Sequence, residues 1–204
     1  MNIHIVNYGM GNIFSVQKKI LQEGASVSIS SDPEDIFKAD KIILCGVGHF
    51  AKAMKNLNQL NLIDPLNDFA IMQKKPVLGI CLGMQLMADF SEEGNVDGLG
   101  WMDSSVKRFK TTEPHKFKIP HMGWNTITSV KSSPLMEDIS SEDEFYFVHS
   151  FYMQPHSKDI ILNETSYIEN FCSGVQKDNI FGVQFHPEKS HSAGRKLLKN
   201  FLSI

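Results

Sequence analysis

The sequence predicts an α/β protein in which helices flank a mostly parallel central sheet that carries an added antiparallel section. In the first ~90 residues, short apolar runs alternate with helical patterns, as they do in parallel sheets. From Ser91 onward, glycines and prolines separate short alternating segments, which favours antiparallel strands joined by long connections. No internal repeat or linker interrupts the chain, so we expect one domain over residues 1–204.

The N-terminal part is predicted to contain four strands, each followed by a helix. Apolar residues recur on one helical face over residues 13–23, and Asp32-Pro33 marks a helix start. The predicted strands are Ile3–Asn7, Val27–Ser30, Lys41–Cys45 and Pro76–Ile80. The predicted helices cover residues 13–23, a segment starting at Asp32, residues 51–73 in two pieces, and about Cys81 to Asp89.

The C-terminal part is predicted to be mainly antiparallel strands followed by one helix. The predicted strands are Glu144–His149, Ile160–Tyr167, Phe171–Gln176 and Ile180–Phe185. The closing helix, about Ser192–Leu202, carries its apolar residues on one face.

The composition limits the kinds of partner. The chain has 204 residues, a formal net charge of −3 and no Lys/Arg-rich run, so we expect no nucleic-acid partner. No apolar run approaches the ~20 residues that span a bilayer, and the N-terminus lacks the features of a signal peptide. We therefore expect a cytoplasmic protein with no membrane partner. The three cysteines are widely spaced and form no Cys-x-x-Cys, which predicts neither a disulfide framework nor a metal site, and we expect no cofactor.

Cys81 stands in a local setting that neither Cys45 nor Cys172 shares. An apolar strand ends in Gly-x-Cys-x-Gly and continues as a helix, which is the cysteine form of a nucleophile elbow. Such a turn places the sulfur at the edge of the sheet and at a helix N-terminus, which favours the thiolate. The backbone N–H of Leu82 points to the same place and can stabilise an oxyanion. The alternative is a buried structural cysteine at a tight turn.

A second motif lies about 100 residues after the first, and a chain of this length is expected to bring both into one domain. The apolar run from Ile180 ends in His186-Pro-Glu188. Residues i and i+2 of an extended chain project to the same face, so Glu188 can orient the His186 imidazole towards a thiol. A carboxylate on one imidazole nitrogen fixes the tautomer that a Cys–His pair needs. A surface His-Pro-Glu turn is the alternative, and a metal site lacks further ligands at suitable spacing.

Together the two motifs resemble the triad (class I) glutamine amidotransferases, and the resemblance extends over almost the whole chain. The more specific resemblance is to the family of glutaminase subunits of imidazole glycerol phosphate synthase. The motifs that carry it occur in the same order as in that family: Tyr8–Asn12, Gly46–Gly48, Gly79–Gln85, Pro120–Asn125, Tyr146–Ser150 and Gln184–Ser190.

The resemblance implies that the chain hydrolyses glutamine to glutamate and ammonia through a γ-glutamyl thioester. Cys81 is then the nucleophile, His186 moves the protons, and Glu188 completes the triad. The oxyanion donors are the backbone N–H groups of Val47 and Leu82, and the glycines on both sides of Val47 let that loop reorient. The implied glutamine-binding residues are Gly48, Gln85, Glu93, His149 and Ser150. Without the resemblance, Gln85 is equally well a solvated helix residue and His149 a core histidine.

The resemblance also implies a partner. In that family the ammonia passes to a (β/α)8-barrel synthase subunit within a heterodimer, which makes imidazole glycerol phosphate and AICAR in histidine biosynthesis. The implied docking residues are Tyr8, Asn12, Pro120, His121, Met122, Trp124, Asn125, Tyr146 and Lys189. Considered alone, Met122 and Trp124 would be assigned to the core.

Several other functions share parts of this pattern. A paralogous glutaminase that supplies ammonia to a sugar-modifying synthetase for cell-surface polysaccharide stays open, because Cys45 and Asn7 replace the family's usual Pro and Asp. The glutaminase of vitamin B6 synthesis has an opening segment that this chain lacks. We do not expect a GMP or carbamoyl phosphate synthetase, since no synthetase domain follows residue 204. The intact set Cys81, His186 and Glu188 argues against a non-catalytic glutamine-sensing or scaffolding subunit.

Overall fold

The computed structural model describes all 204 residues. The strands are β1 (Asn2–Val6), β2 (Ser26–Ser30), β3 (Lys41–Gly46), β4 (Val77–Cys81), β5 (Ala88–Ser91), β6 (Val96–Asp97), β7 (Met102–Arg108), β8 (His121–Thr126), β9 (Thr128–Ser129), β10 (Glu144–His149), β11 (Phe151–Pro155), β12 (Ile161–Ser166), β13 (Asn170–Lys177) and β14 (Ile180–Val183). The helices are α1 (Ile13–Gln22), α2 (Pro33–Phe37), α3 (Phe50–Gln59), α4 (Ile63–Asn67), α5 (Leu82–Gln85) and α6 (His191–Ser203).

The central sheet has eight strands in the order β2-β1-β3-β4-β14-β13-β12-β9. The first five of these strands pair in parallel, and the last three are antiparallel to their neighbours. Gly46 of β3 lies opposite Cys81 of β4, and Val183 of β14 lies opposite Ile80. The carboxyl ends of these three parallel strands therefore meet at one edge of the sheet, where sites of α/β proteins commonly form. The predicted α/β class with a mostly parallel sheet and an antiparallel section is confirmed.

Side chains of the central sheet point alternately into two hydrophobic clusters, one on each face. On β3, Ile42 and Leu44 belong to one cluster, whereas Ile43 and Cys45 belong to the other. Residues of α3 and α4 complete the first cluster, and residues of α1 and α6 complete the second. Burial on both faces explains why the parallel strands are almost uninterrupted apolar runs. Because both clusters share this one sheet, we infer that residues 1–204 form a single domain.

The long helices lie close to their predicted bounds. α1 begins at Ile13, as predicted, and its buried residues Ile13, Val16 and Ile20 recur at helical spacing. α6 starts one residue before the predicted Ser192 and buries Leu197, Leu198 and Phe201 against the sheet. With 13 residues it is among the longest helices, and none of the helices combines the length and the apolar character that crossing a bilayer requires.

The helix after Cys81 is shorter than the sequence predicts. We expect it to run to about Asp89, but α5 ends at Gln85 and the chain enters β5 at Ala88. The backbone carbonyls of the residues that follow Gln85 accept hydrogen bonds from a later segment. The carbonyls of Leu86, Met87 and Ala88 accept from the backbone N–H groups of Leu99, Trp101 and Gly100, respectively. This non-local pairing holds residues 86–88 against the later segment, and the chain leaves the helix after four residues.

Two smaller sheets occupy most of the region between β4 and β12. One contains β11, β7, β5 and β6, and the other pairs β8 antiparallel with β10. The second sheet places His121 directly opposite His149. The predicted bounds of β10, Glu144–His149, agree with the structure, whereas the sequence alone gives no bounds for β5, β6, β7 or β11. Residues of β10 and β11, one strand from each of these sheets, lie beside Cys81.

Candidate active site

The backbone around Cys81 forms a tight turn between β4 and α5. Cys81 has φ 54° and ψ −111°, a conformation that residues with a side chain rarely adopt. A Cβ at Gly83 would collide with the carbonyl oxygen of Leu44, and a Cβ at Gly79 would lie 2.7 Å from the backbone nitrogen of Met84. Both flanking glycines are therefore required for the turn, which presents the Cys81 sulfur at the edge of the sheet.

His186 and Glu188 form a buried pair next to this turn. The Nδ1 atom of His186 lies 2.8 Å from Oε1 of Glu188, and both side chains are 3% exposed. The pair does not lie on an extended strand as predicted, because β14 ends at Val183 and Glu188 sits in a one-turn helix at Pro187–Lys189. The backbone N–H of His186 donates to the Tyr146 carbonyl at 2.9 Å, which fixes the imidazole from the backbone side.

The charge on His186 follows from its neighbours. Burial alone would lower the pKa of the imidazole, but the contacts with the Cys81 sulfur and with the Glu188 carboxylate outweigh burial and raise the pKa to about 10. Nε2 of His186 is buried and has no hydrogen-bond partner. With Nδ1 held by Glu188, Nε2 is the nitrogen available to the cysteine. The arrangement provides a nucleophile, a proton carrier and an orienting carboxylate.

A cavity of about 240 Å³ opens in front of the Cys81 sulfur. Its wall contains Cys81, both predicted oxyanion residues and all the predicted glutamine-binding residues. The lining residues are Val47, Gly48, Cys81, Leu82, Gln85, Glu93, Pro120, Val148, His149, Ser150 and Phe151. A volume of this size accommodates a small amino acid. His186 and Glu188 do not line this cavity. Together with Val47, they line a separate and much smaller void.

The oxyanion loop directly follows β3. Gly46 pairs with Cys81 across β3 and β4, so the next residue, Val47, stands beside the nucleophile. Gly48 has φ +126°, which glycine adopts without strain. Leu82 is the first residue of α5, so its backbone N–H has no partner within the helix and is free to point into the cavity. Val47 and Leu82 therefore border the place where charge develops during attack by the sulfur.

Glu93 closes one end of the cavity while it also caps a helix. Its Oε2 atom accepts the backbone N–H of Phe50 at 2.8 Å, at the first turn of α3. A carboxylate at a helix N-terminus is favourable because it pairs with free N–H groups and with the helix dipole. The carboxylate is thereby fixed with one oxygen bound and the other available to a cation such as an ammonium group.

Two buried amides connect the cavity wall to the nucleophile. Gln85 donates through Nε2 to the Phe151 carbonyl at 2.8 Å and to Oε1 of Gln184 at 2.9 Å. Gln184 in turn places Nε2 3.6 Å from the Cys81 sulfur, within hydrogen-bonding distance of a sulfur acceptor. Both amides are almost completely buried. Buried amides of this kind persist because each of them finds partners.

A second series of hydrogen bonds reaches the Phe151 carbonyl through two buried histidines. Nδ1 of His149 lies 2.8 Å from the Phe151 carbonyl oxygen, so this nitrogen carries the proton. Nε2 of His149 lies 3.1 Å from Nδ1 of His121, and Nε2 of His121 lies 3.4 Å from the amide nitrogen of Asn125. Burial lowers the pKa of His121 to about 4 and that of His149 to about 3, so both rings are neutral at pH 7. Every hydrogen bond then runs in one direction, from Asn125 through both rings to Phe151.

Comparisons with known proteins identify the family of the chain. A family model described as glutamine amidotransferase class-I matches residues 4–204. The chain is 48% identical over 200 residues to imidazole glycerol phosphate synthase subunit HisH 2 of Methanococcus maripaludis, covering 98% of each chain. It is 43% identical over 213 residues to subunit HisH of Neisseria meningitidis, covering the whole of both chains.

The chain belongs to the HisH family of class I glutamine amidotransferases. Among solved structures, it resembles a glutamine amidotransferase and PurLQS, both from Thermotoga maritima. The TM-scores are 0.72 and 0.74 at 14% and 15% identity. The alignments cover 100% and 99% of this chain and 96% and 97% of those chains. These likenesses show the class I amidotransferase fold that the sequence predicts.

Most of the docking residues implied by the HisH resemblance lie on the surface. Met122 is 62% exposed and Trp124 is 44% exposed, so neither is a core residue. The Lys189 ammonium stands 5.3 Å from the centre of the Tyr146 ring, and the Tyr146 and Trp124 rings are 5.8 Å apart. Asn12 is exposed, and Pro120, Asn125 and Tyr146 are partly exposed.

Two of the implied docking residues have buried side chains. Tyr8 is 0% exposed and its hydroxyl lies against Gly46, so its side chain belongs to the core beneath the oxyanion loop. His121 is 2% exposed and faces inward from β8 because alternate residues of a strand point to opposite sides. Neither side chain reaches the surface that a partner would touch.

One residue of the HisH site was not predicted individually. Gln184 occurs in the motif before His186, but nothing in its spacing assigns it a role. The usable signal is a single amide within the otherwise apolar run Ile180–Phe185, since a buried polar side chain needs a partner.

Outside the site, Asp89, Asp103 and His156 bring potential metal-ligand atoms within 4.8 Å of one another, but all are exposed and none lines the cavity.

Proposed function

We propose that this chain hydrolyses glutamine to glutamate and ammonia at Cys81. The observation that carries the proposal is the cavity of about 240 Å³, in which the Cys81 sulfur meets every residue predicted to hold glutamine or its oxyanion. Membership of the class I amidotransferase family supports it. The cytoplasmic location predicted from the sequence stays a prediction.

The first half of the reaction forms a thioester. The Cys81 sulfur attacks the side-chain amide carbon of glutamine, and the carbonyl electron pair moves onto the oxygen. The backbone N–H groups of Val47 and Leu82 stabilise that oxyanion. When the carbonyl re-forms, the C–N bond breaks, and the Nε2 proton of His186 passes to the departing nitrogen, which leaves as ammonia.

The second half of the reaction releases glutamate. A water molecule gives a proton to His186 as its oxygen attacks the thioester carbon, and the C–S bond breaks to regenerate the sulfur anion. The sum of both halves is glutamine plus water to glutamate plus ammonia. Glu188 keeps Nδ1 of His186 bonded in both halves, so the proton always moves through Nε2.

We also propose that the ammonia passes to a cyclase subunit with a (β/α)8 barrel, in a heterodimer that makes imidazole glycerol phosphate and AICAR. The HisH relatives are named as subunits of imidazole glycerol phosphate synthase, which supports this partner. Met122, Trp124 and Lys189 are exposed and Tyr146 is partly exposed, so this group offers aromatic rings and a cation close to the active-site edge. Aromatic residues are typical of interfaces. The sugar-modifying alternative is not favoured, because these relatives carry the synthase name.

The experiment measures glutamate release from glutamine by the chain alone, with the co-expressed cyclase, and with the cyclase plus its acceptor. We expect slow release by the chain alone and a rise of about two to three decades with partner and acceptor, which is the effect of one oxyanion donor. The physical basis is a rotation of the Gly46–Val47 peptide that turns the Val47 N–H into the cavity, biased by partner binding. Identical rates in all three mixtures would exclude activation by the partner.

A further inference from the structure

Gln184 contacts the nucleophile although it does not line the glutamine cavity. Its side chain is 0% exposed, and its Nε2 atom lies 3.6 Å from the Cys81 sulfur. The two residues are 103 positions apart in the chain and meet because β4 and β14 are neighbours in the sheet. An amide that is buried beside a reactive sulfur and away from the substrate can affect the sulfur without affecting substrate binding.

The hydrogen bonds around Gln184 fix which end of its amide faces the sulfur. The Phe151 carbonyl only accepts, so Gln85 turns its NH₂ group towards it. The same NH₂ group donates to the oxygen of the Gln184 amide at 2.9 Å. A reversed Gln184 would bring its own NH₂ group against that of Gln85, which leaves two donors facing each other. The Gln184 NH₂ group is therefore the end that faces Cys81.

We propose that Gln184 is a catalytic residue whose amide N–H donates a hydrogen bond to the Cys81 sulfur, and that Gln85 is the positioning residue for it. This inference rests on the proposed glutaminase function. The N–H stabilises the sulfur while it carries negative charge, which is before attack on glutamine and again when it leaves the thioester. Hydrogen bonds to charged groups are stronger than those between neutral groups, and the loss of one changes a rate or an equilibrium constant by roughly tenfold to hundredfold.

The effect of the Gln184 N–H on the Cys81 sulfur can be measured separately from the effects of the other groups near the sulfur. The other titratable groups around it come from several elements: Tyr8 from the loop after β1, Cys45 on β3, Glu93 and His149 in the cavity wall, and His186 and Glu188 after β14. All of them remain when Gln184 alone is replaced. Burial raises the pKa of the Cys45 and Cys172 thiols to about 12, so alkylation near neutral pH reports on Cys81.

The test is the rate of iodoacetamide alkylation of the full chain between pH 5 and 10, with Gln184→Met as the main variant. Methionine fills a similar volume and cannot donate. We expect the pH at which half of the maximal rate is reached to rise by about one to two units. In the complex with the cyclase, we expect kcat for glutamine to fall about tenfold to hundredfold while KM changes little, because Gln184 does not line the cavity and Gln85, which does, keeps its hydrogen bond to the Phe151 carbonyl.

Two further variants test whether general loosening of the fold, and not the lost hydrogen bond, explains a change in Cys81 alkylation. Gln184→Glu keeps the shape and the acceptor for Gln85 but places a carboxylate against the sulfur, so alkylation at neutral pH should be slower still. Asn163→Leu is the matched control, because the buried Asn163 amide donates to the Met136 sulfur, also at 3.6 Å, where no charge develops. We expect it to lower stability and to leave the alkylation profile of Cys81 unchanged.

If Gln184→Met and Gln184→Glu are folded and their pH profiles of Cys81 alkylation equal that of the wild type, Gln184 does not act on the sulfur. A shift of equal size in Asn163→Leu would also overturn the role of Gln184, because general loosening would then explain the result. The failure of the proposed function looks different. In that case the wild-type chain releases no glutamate even with cyclase and acceptor, while the alkylation profiles still report whether the amide acts on the sulfur.

Discussion

Glu188 influences the reaction only through His186. Its Oε1 atom is 2.8 Å from Nδ1 of the imidazole, and its side chain does not line the glutamine cavity. His186, in contrast, presents the unpartnered Nε2 that must carry the proton. The two residues therefore differ in kind: one transfers a proton, and the other orients the ring and balances its charge.

We expect His186→Ala to lower glutamate release by roughly two to four decades, the usual value of general acid–base catalysis. Glu188→Gln should cost less, since an amide oxygen still accepts from Nδ1 and only the charge is lost. Steady-state glutamate release by the complex with the cyclase measures both. Equal and complete loss in the two variants, with circular dichroism showing that both are folded, would contradict this division of roles.

The Tyr8 hydroxyl packs so tightly against Gly46 that we expect substitutions at the two positions to have coupled effects on stability. A Cβ at Gly46 would collide with the Tyr8 hydroxyl oxygen, whereas the next atoms, Cζ of Tyr8 and Cδ2 of Leu82, stand at 3.1 and 3.3 Å. We expect Gly46→Ala to destabilise the chain by about 1–3 kcal/mol through overpacking and to slow glutamate release. Adding Tyr8→Phe should restore most of the lost stability, because only the colliding oxygen is removed.

Urea unfolding of the wild type, both single variants and the double variant measures this coupling. Tyr8→Phe alone should be almost neutral, because the buried hydroxyl has no hydrogen-bond partner to lose. Strictly additive free energies of unfolding would show that the hydroxyl does not limit the space above Gly46.

The β8–β10 sheet carries the two neutral histidines. Their pKa values in the folded chain, about 4 for His121 and about 3 for His149, lie below the ordinary value of 6.5. Between pH 6.5 and 4 the unfolded chain therefore binds protons at these sites and the folded chain does not. Acidification thus favours unfolding in that window, and the contribution is fully present only above about pH 6.5.

We expect the free energy of unfolding to fall as the pH drops from 7 to 5, with His149 contributing about 2 kcal/mol of the fall. In His149→Asn the fall should be smaller by that amount, because asparagine keeps a donor for Phe151 and does not titrate. His186, whose pKa is raised, acts in the opposite direction: its contribution is fully present below pH 6.5 and is lost as the pH rises towards 10. Parallel pH dependences in wild type and variant would contradict a neutral His149.

For the molecule as a whole, the sequence predicts the parallel sheet and the residues around Cys81 better than it predicts what surrounds them. Cys81 and His186 lie in short motifs at strand ends, and parallel topology brings strand ends to one edge. The contact between Gln184 and Cys81 has no such local signal, because it depends on two strands distant in the chain becoming neighbours. The same holds for the early end of α5, after which backbone N–H groups of a later segment bond to the carbonyls of Leu86, Met87 and Ala88.

Burial is the other property that motifs do not reveal. Tyr8 and His121 occur within motifs whose neighbours are exposed, yet both side chains point into the core. A strand with one solvated face necessarily alternates in this way, so His121 and Met122 have opposite environments although they are adjacent. A docking surface can therefore be assigned to a segment from its sequence, but its individual residues require the fold.

The most direct test of the central claim compares two activities of the complex between the Cys81→Ala chain and the cyclase. We predict that glutamine-dependent synthesis and glutamate release fall to background, because the nucleophile is absent. Synthesis driven by added ammonia should stay at the wild-type rate, because Cys81 serves only the cleavage of the amide. Glutamate release above a small fraction of the wild-type rate would show that Cys81 is not the nucleophile.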